Sequence, residues 1–168
     1  MQPTSKTQSL CMISLATAVI AITAQIALPL PMGVPMTLQS FGIMFAGILL
    51  GPKKGTCATI IYLLIGLIGV PVFSQFTGGY QCFVSPTGGF LLSFPILAWL
   101  SGLGKRYKLL FLMAGNMVNL FCGALVFCFV TGCSFTAAFN SCVLSFLPIT
   151  IVKVILTRVI TIHIQKRL

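Results

Sequence analysis

Lys153 is the residue whose position most invites chemistry. It follows Pro148 by five residues, inside the apolar run Leu144 to Ile162. An ionisable side chain in a membrane segment is costly and marks a functional site by default, with a partner expected. The chain holds no Asp or Glu that could pair with it. Three partners are open: outer water reached by snorkelling, a backbone carbonyl, or an anionic ligand. Upstream, SPTGGF (Ser85 to Phe90) offers backbone N–H groups, two of them on glycine, where a helix would begin. Helix N-termini of this kind accept polar or anionic ligand atoms. The same stretch also reads as a Pro-initiated helix with glycines for close packing. Thr77-Gly78-Gly79-Tyr80 adds flexible backbone and an aromatic ring, suited to covering a small flat molecule.

Enzyme chemistry is hard to build from this inventory. Without side-chain carboxylates there is no such general base, no carboxylate metal ligand and nothing acidic to orient a histidine. The single histidine, His163, stands beside Gln165 and Lys166 and reads as an interfacial residue. No G-x-x-x-x-G-K-[ST] motif is present, so ATP hydrolysis by the chain itself is not expected. The seven cysteines form no C-x-x-C pair and lie mostly in apolar runs, where Cys behaves as a small hydrophobe. No catalytic residue, metal or cofactor is expected. The net charge of +10 could suit nucleic acid, but the basic residues are too dispersed among apolar runs for that.

The elements that position these residues follow from composition. Of 168 residues, 58% are hydrophobic and only ten are charged, all Lys or Arg. A soluble domain of this size would carry about 20 acidic residues. The chain is therefore expected to be an integral membrane protein, a single domain over 1–168. A membrane helix needs about 20 mostly apolar residues, and the candidates are 9–28, 35–51, 55–71, 86–103, 108–131 and 142–163. The second is the shortest in strictly apolar sequence and needs Met36 to Ser40 to reach full depth. The N-terminal run lacks a small-residue cleavage site and reads as a first span, not a removed signal peptide.

Charge orients the spans, because basic loops stay cytoplasmic. Lys6 precedes the first span, Lys53 and Lys54 follow the second, Lys105, Arg106 and Lys108 follow the fourth, and Arg158, Lys166 and Arg167 close the sixth. The connections at 29–34, 72–85 and 132–141 carry no charge. Six spans with both termini cytoplasmic satisfy this alternation. The basic turns, Gly51 to Gly55 and Gly104 to Lys108, are short, whereas the neutral connections are rich in Gly, Pro, Ser and Thr, so the working face is expected outside. On the first span, Ser14/Ala18 and Thr17/Ala21 are spaced to let another helix approach closely.

Several motifs occur together in order: PMTLQ into GILLGPKKG, LLIGLIGVPVF, a Gly-rich loop, SPTGGFLLSFP and FLPITIVK. From about Ala18 to the C-terminus the chain closely resembles the BioY family, the biotin-specific S components of energy-coupling factor (ECF) transporters. The resemblance implies an all-α, six-transmembrane-helix bundle of the S-component type in the cell membrane. Biotin would be captured at the extracellular face and delivered with an ECF coupling membrane protein and two ATPase subunits. It implies a substrate site from Thr37 and Gln39 at the mouth of the second helix, and Thr77, Gly78, Gly79 and Tyr80. The run Pro86, Thr87, Gly88, Gly89, Phe90 and, on the sixth helix, Thr150 and Lys153 complete it. Family members read Pro-Gly-Asp ahead of that lysine, and this chain reads Pro148-Ile149-Thr150. The aspartate that would accept hydrogen bonds from the ureido N–H groups is thus a threonine. An S component for another vitamin and a binding-impaired scaffold are the alternatives this departure leaves.

Overall fold

The structure, a computed structural model, describes residues 5–28, 34–103 and 108–165. Lys105, Arg106, Lys166 and Arg167, most of the Gly104 to Lys108 turn, and residues 29–33 of the first neutral connection lie outside the described residues.

Helix α1 spans Lys6–Gln25, and Ser5 caps it by accepting from the Gln8 N–H at 3.2 Å, satisfying one of the free donors of the first turn. The chain then leaves helix. Ala27–Leu28 (β1) pairs antiparallel with Met36–Thr37 (β2), Ala27 opposite Thr37 and Leu28 opposite Met36. Both pairs were assigned to the first and second spans by hydropathy. Pro29, directly after Leu28, explains part of the difference, since proline cannot continue a helix and drives the residue before it toward extended backbone.

Helix α2 covers Gln39–Leu67 but is two legs, 39–50 and 52–67, joined at Gly51 with φ 80° and ψ 173°. Glycine adopts that conformation without a Cβ penalty, and Pro52 then suits the first turn of the second leg. The legs fold back on one another: a Cβ on Gly55 would meet Gly47 Cα at 2.7 Å. Helix α1 runs beside both, with Thr17 Oγ1 donating to the Ala58 carbonyl at 3.1 Å and Lys54 Nζ to Ser9 Oγ at 2.9 Å. Thr17 thus faces inward, while Ser14 and Ala18 face outward.

The connection after α2 is a compact assembly of a 3-10 turn at Ser74–Phe76 and a short helix, α3, at Gln81–Val84. Helix α4 (Gly88–Leu103) packs on α2 and on α5 (Lys108–Thr131). Gly132, with φ 68°, ends α5 and donates its N–H back to the Cys128 carbonyl at 3.0 Å, a left-handed helix cap. The last helical segment begins earlier than the apolar count suggests. Ser134 caps α6 (Phe135–Phe139), a π-turn follows at Asn140–Leu144, and α7 continues over Leu147–Gln165. Most of the neutral stretch 132–141 is therefore helical.

Counting the legs of α2 separately, the described residues form a six-helix bundle. Four helical segments are long and apolar enough to cross a membrane, and α4 is a shorter apolar helix. Leu15, Leu92, Leu110, Phe129 and Val159 are exposed on the outside, an apolar surface suited to lipid. All seven cysteines are free. The interior divides into two apolar clusters, one around Ile43, Met44, Tyr62, Phe94 and Leu97, the other around Leu120, Cys142, Val143 and Phe146. Phe90 packs against both.

Candidate functional site

A cavity opens between the two clusters, where β2, the start of α2, the 72–87 connection, and α4, α5 and α7 converge. It offers about 90 Å³ to the centre of a water molecule. One water needs only roughly 10–15 Å³ on that measure, so the cavity is several waters in size. Phe73, Phe90, Phe94 and Phe146 form apolar walls, and polar groups enter from several elements. That combination characterises small-molecule sites.

Lys153 is buried on the cavity wall at 6% exposure. Its ammonium donates to the Thr37 carbonyl at 2.5 Å and to Ser40 Oγ at 3.3 Å. A backbone carbonyl is therefore one of its partners. The contact also accounts for the extended entry into α2, because irregular backbone at membrane depth persists only where protein or a lined cavity satisfies it. An ammonium has three N–H donors, so one remains beyond these two bonds.

Thr150, one helical turn earlier on α7, is 4% exposed and also lines the cavity. Thr157 and Thr161 on the same helix return their hydroxyls to the carbonyls four residues back, at 2.7 and 2.6 Å. The Thr150 hydroxyl makes no hydrogen bond among the described residues. On α5, Asn119 Nδ2 donates to the Phe90 carbonyl at 3.0 Å and to Ser93 Oγ at 2.8 Å, tying α5 to α4. Asn116 Nδ2 donates to the Leu112 carbonyl and to Met44 Sδ, each at 2.9 Å. The Oδ1 acceptors of both amides carry no hydrogen bond among the described residues. Gln39 lines the cavity and donates from Nε2 to the Tyr62 hydroxyl at 2.6 Å.

Of the residues singled out from sequence, Thr37, Gln39, Thr77, Thr87, Phe90, Thr150 and Lys153 meet at this cavity. Gly78, Gly79, Tyr80, Pro86, Gly88 and Gly89 are not among its lining residues. Gly78, Gly88 and Gly89 lie against neighbouring backbone. A Cβ on Gly88 would run into the Phe83 carbonyl, and one on Gly89 into the Cys122 carbonyl and Val126. Gly79, at φ 96°, turns the chain and donates to the Gly66 carbonyl at 2.7 Å, and Tyr80 is 73% exposed. Asn116 and Asn119 were missed, although the signal was available: two carboxamides three residues apart in a long apolar helix, hence on one face. Ser40, Ser74 and Cys82 also join the wall and carried no comparable signal.

The family model of the BioY family matches residues 1–168. The chain belongs to the BioY family. Among curated relatives, Probable biotin transporter BioY of Pyrococcus horikoshii is 36% identical over 149 residues, covering 88% of this chain and 90% of its own. Biotin transporter BioY2 of Lactococcus lactis is 34% identical over 165 residues, covering 94% and 88%. A crystal structure of the S-component for biotin from an ECF-type ABC transporter superposes with a TM-score of 0.88 at 30% identity, covering 98% of this chain and 95% of that one. BioY proteins are membrane transporters and not enzymes, in keeping with an acid-free chain. As a BioY chain, this one is a multi-pass membrane protein with the S-component fold.

Proposed function

We propose that the chain is the biotin-binding S component of an ECF-type transporter, and that the cavity beside Lys153 holds the vitamin. The observation that carries this reading is the cavity's chemistry: a buried ammonium with a donor to spare, unengaged neutral acceptors on α5 and α7, and phenylalanine walls. Biotin presents a cyclic urea with two N–H donors and one acceptor, an apolar ring and chain, and a carboxylate. Lys153 donates to a ligand oxygen, Thr150 Oγ1 and an asparagine Oδ1 accept ureido N–H groups, and the phenylalanines cover the apolar body.

The cavity lies at the end of the bundle formed by the uncharged connections. Lys6, Lys53, Lys54 and Lys108 lie toward the other end, where Gly102 abuts the Gly51–Pro52 turn. With basic segments held inside, the cavity faces outward and both termini are cytoplasmic. The chain has no nucleotide-binding motif, and the likeness to an ECF S component supports uptake through a separate coupling protein and two ATPase subunits.

Purified protein titrated with biotin tests the reading. Ligand binding stabilises by RT ln(1 + [L]/Kd), about 2.7 kcal/mol at a hundredfold excess over Kd, and a melting temperature indifferent to biotin would refute it. A second reading, a different vitamin, is favoured by Thr150 in the family's aspartate position. Thr150→Asp supplies a charged acceptor, roughly doubling that bond, and should raise biotin affinity by about 1 kcal/mol. If it does not, the second reading takes precedence.

A further inference from the structure

The turn at 72–77 supplies Phe73, Ser74 and Thr77 to the cavity wall, yet its backbone is strained. Gln75 and Phe76 lie consecutively in the left-handed region, at φ 58° and 55°, where a side chain is disfavoured. Such residues persist only when their surroundings over-determine them. A bridge from the Phe73 N–H to the Thr77 carbonyl, at 2.9 Å, closes the turn internally.

Phe73 anchors the start of the turn by packing on Tyr62 and Phe83, and the polar restraint on its left-handed part comes from one side chain at the end of α1. Gln25 Oε1 accepts from the Phe76 N–H at 3.0 Å, and Nε2 donates to the Val72 and Phe73 carbonyls at 3.2 and 3.1 Å. Nε2 also lies 3.3 Å from the Ala21 carbonyl of its own helix, which fixes its direction. The Val72 carbonyl accepts as well from the Tyr62 hydroxyl at 3.0 Å, and Tyr62 accepts from Gln39 on the cavity wall. A continuous hydrogen-bonded path thus links Gln25, the turn, Tyr62 and the cavity.

We propose that Gln25, which does not line the cavity, is a positioning residue that clamps the strained 72–77 turn against the site and so sets how long the ligand stays bound. The ligand part rests on the biotin reading above; the clamp itself does not. Without the clamp the turn relaxes out of the left-handed conformation and withdraws part of the wall. Ligand then leaves faster, while the helices, whose backbone ladders do not need the Gln25 side chain, remain.

Hydrogen exchange and biotin dissociation on the parent, Gln25→Leu and Gln25→Leu/Phe76→Gly test this. Gln25→Leu should speed exchange in the 72–77 segment and biotin dissociation at least tenfold each, with exchange in α4 and α5 unchanged. Phe76→Gly, which removes the left-handed penalty, should recover at least threefold of the lost residence time, which a merely structural role would not allow. Exchange and dissociation equal to the parent's overturn the proposal. So does faster exchange throughout the bundle with no recovery from Phe76→Gly. If the parent binds no biotin, the functional reading fails, and local exchange in the ligand-free protein still decides whether Gln25 is the clamp.

Discussion

The first leg of α2 departs from helix at both ends, by different means. At the basic end Gly51 turns the chain, and a Cβ added there would find no atom within 4 Å. That break needs only a residue tolerant of positive φ. At the neutral end the chain enters as an extended ribbon, and the Thr37 carbonyl is held by the buried ammonium of Lys153 from α7. One irregularity is a local turn. The other is sustained by a charge brought from more than a hundred residues away, with a cavity beside it. Irregular backbone supported by long-range polar contacts marks the end of the bundle where the candidate site lies.

The contrast can be broken most severely at the glycines of α4. Gly89→Val would drive a side chain into the Cys122 carbonyl and Val126 of α5. Because backbone is the obstacle, the cost should reach about 3 kcal/mol, the upper part of the range for overpacking. Melting and biotin binding should fall together, read by thermal denaturation and titration. Loss of binding alone, with melting unchanged, would return Gly89 to the ligand site.

Lys153→Met sharpens the other side of the comparison. It removes the proposed ligand donor and the tie to Thr37, but also relieves a buried charge. Biotin should bind more than tenfold more weakly, at least ~1.4 kcal/mol. Stability of the ligand-free protein should change by less than about 1 kcal/mol, since the lost bonds and the relieved desolvation oppose one another. Calorimetric titration and melting of the same preparation separate the two effects. Gly51→Ala should do the reverse, costing at least about 1 kcal/mol of stability through its torsion alone, because φ 80° with ψ 173° is a region essentially reserved for glycine, with biotin affinity unchanged.

The sequence exposed Lys153 because a charge in an apolar run is conspicuous, the family resemblance pointed to Thr150, and alternating charge supplied an expected topology. It could not say whether a glycine faces a ligand or a helix, since both demand the same missing Cβ. Gly88 and Gly89 were read toward ligand and lie against backbone. Hydropathy has no period in a two-residue ribbon, so Ala27, Leu28, Met36 and Thr37 were absorbed into spans. The start of α6 was hidden because Ser134 caps a helix in sequence too polar to resemble a span. Asn116 and Asn119 carried the same signal as Lys153, weakened by neutrality. The Gln25 contact joins residues about fifty apart, and nothing local announces it.

The central claim is that ligand occupies the neutral-end cavity under the control of Lys153. Cys82 lines that cavity and is a half-buried free thiol. Its alkylation by a membrane-impermeant maleimide, followed by peptide mass in intact cells with and without biotin, tests the claim most directly. The account predicts labelling from outside, slowed by biotin in the parent and unaffected by the same biotin concentration in Lys153→Met. Labelling only after lysis, or a parent rate that biotin leaves unchanged, would contradict it.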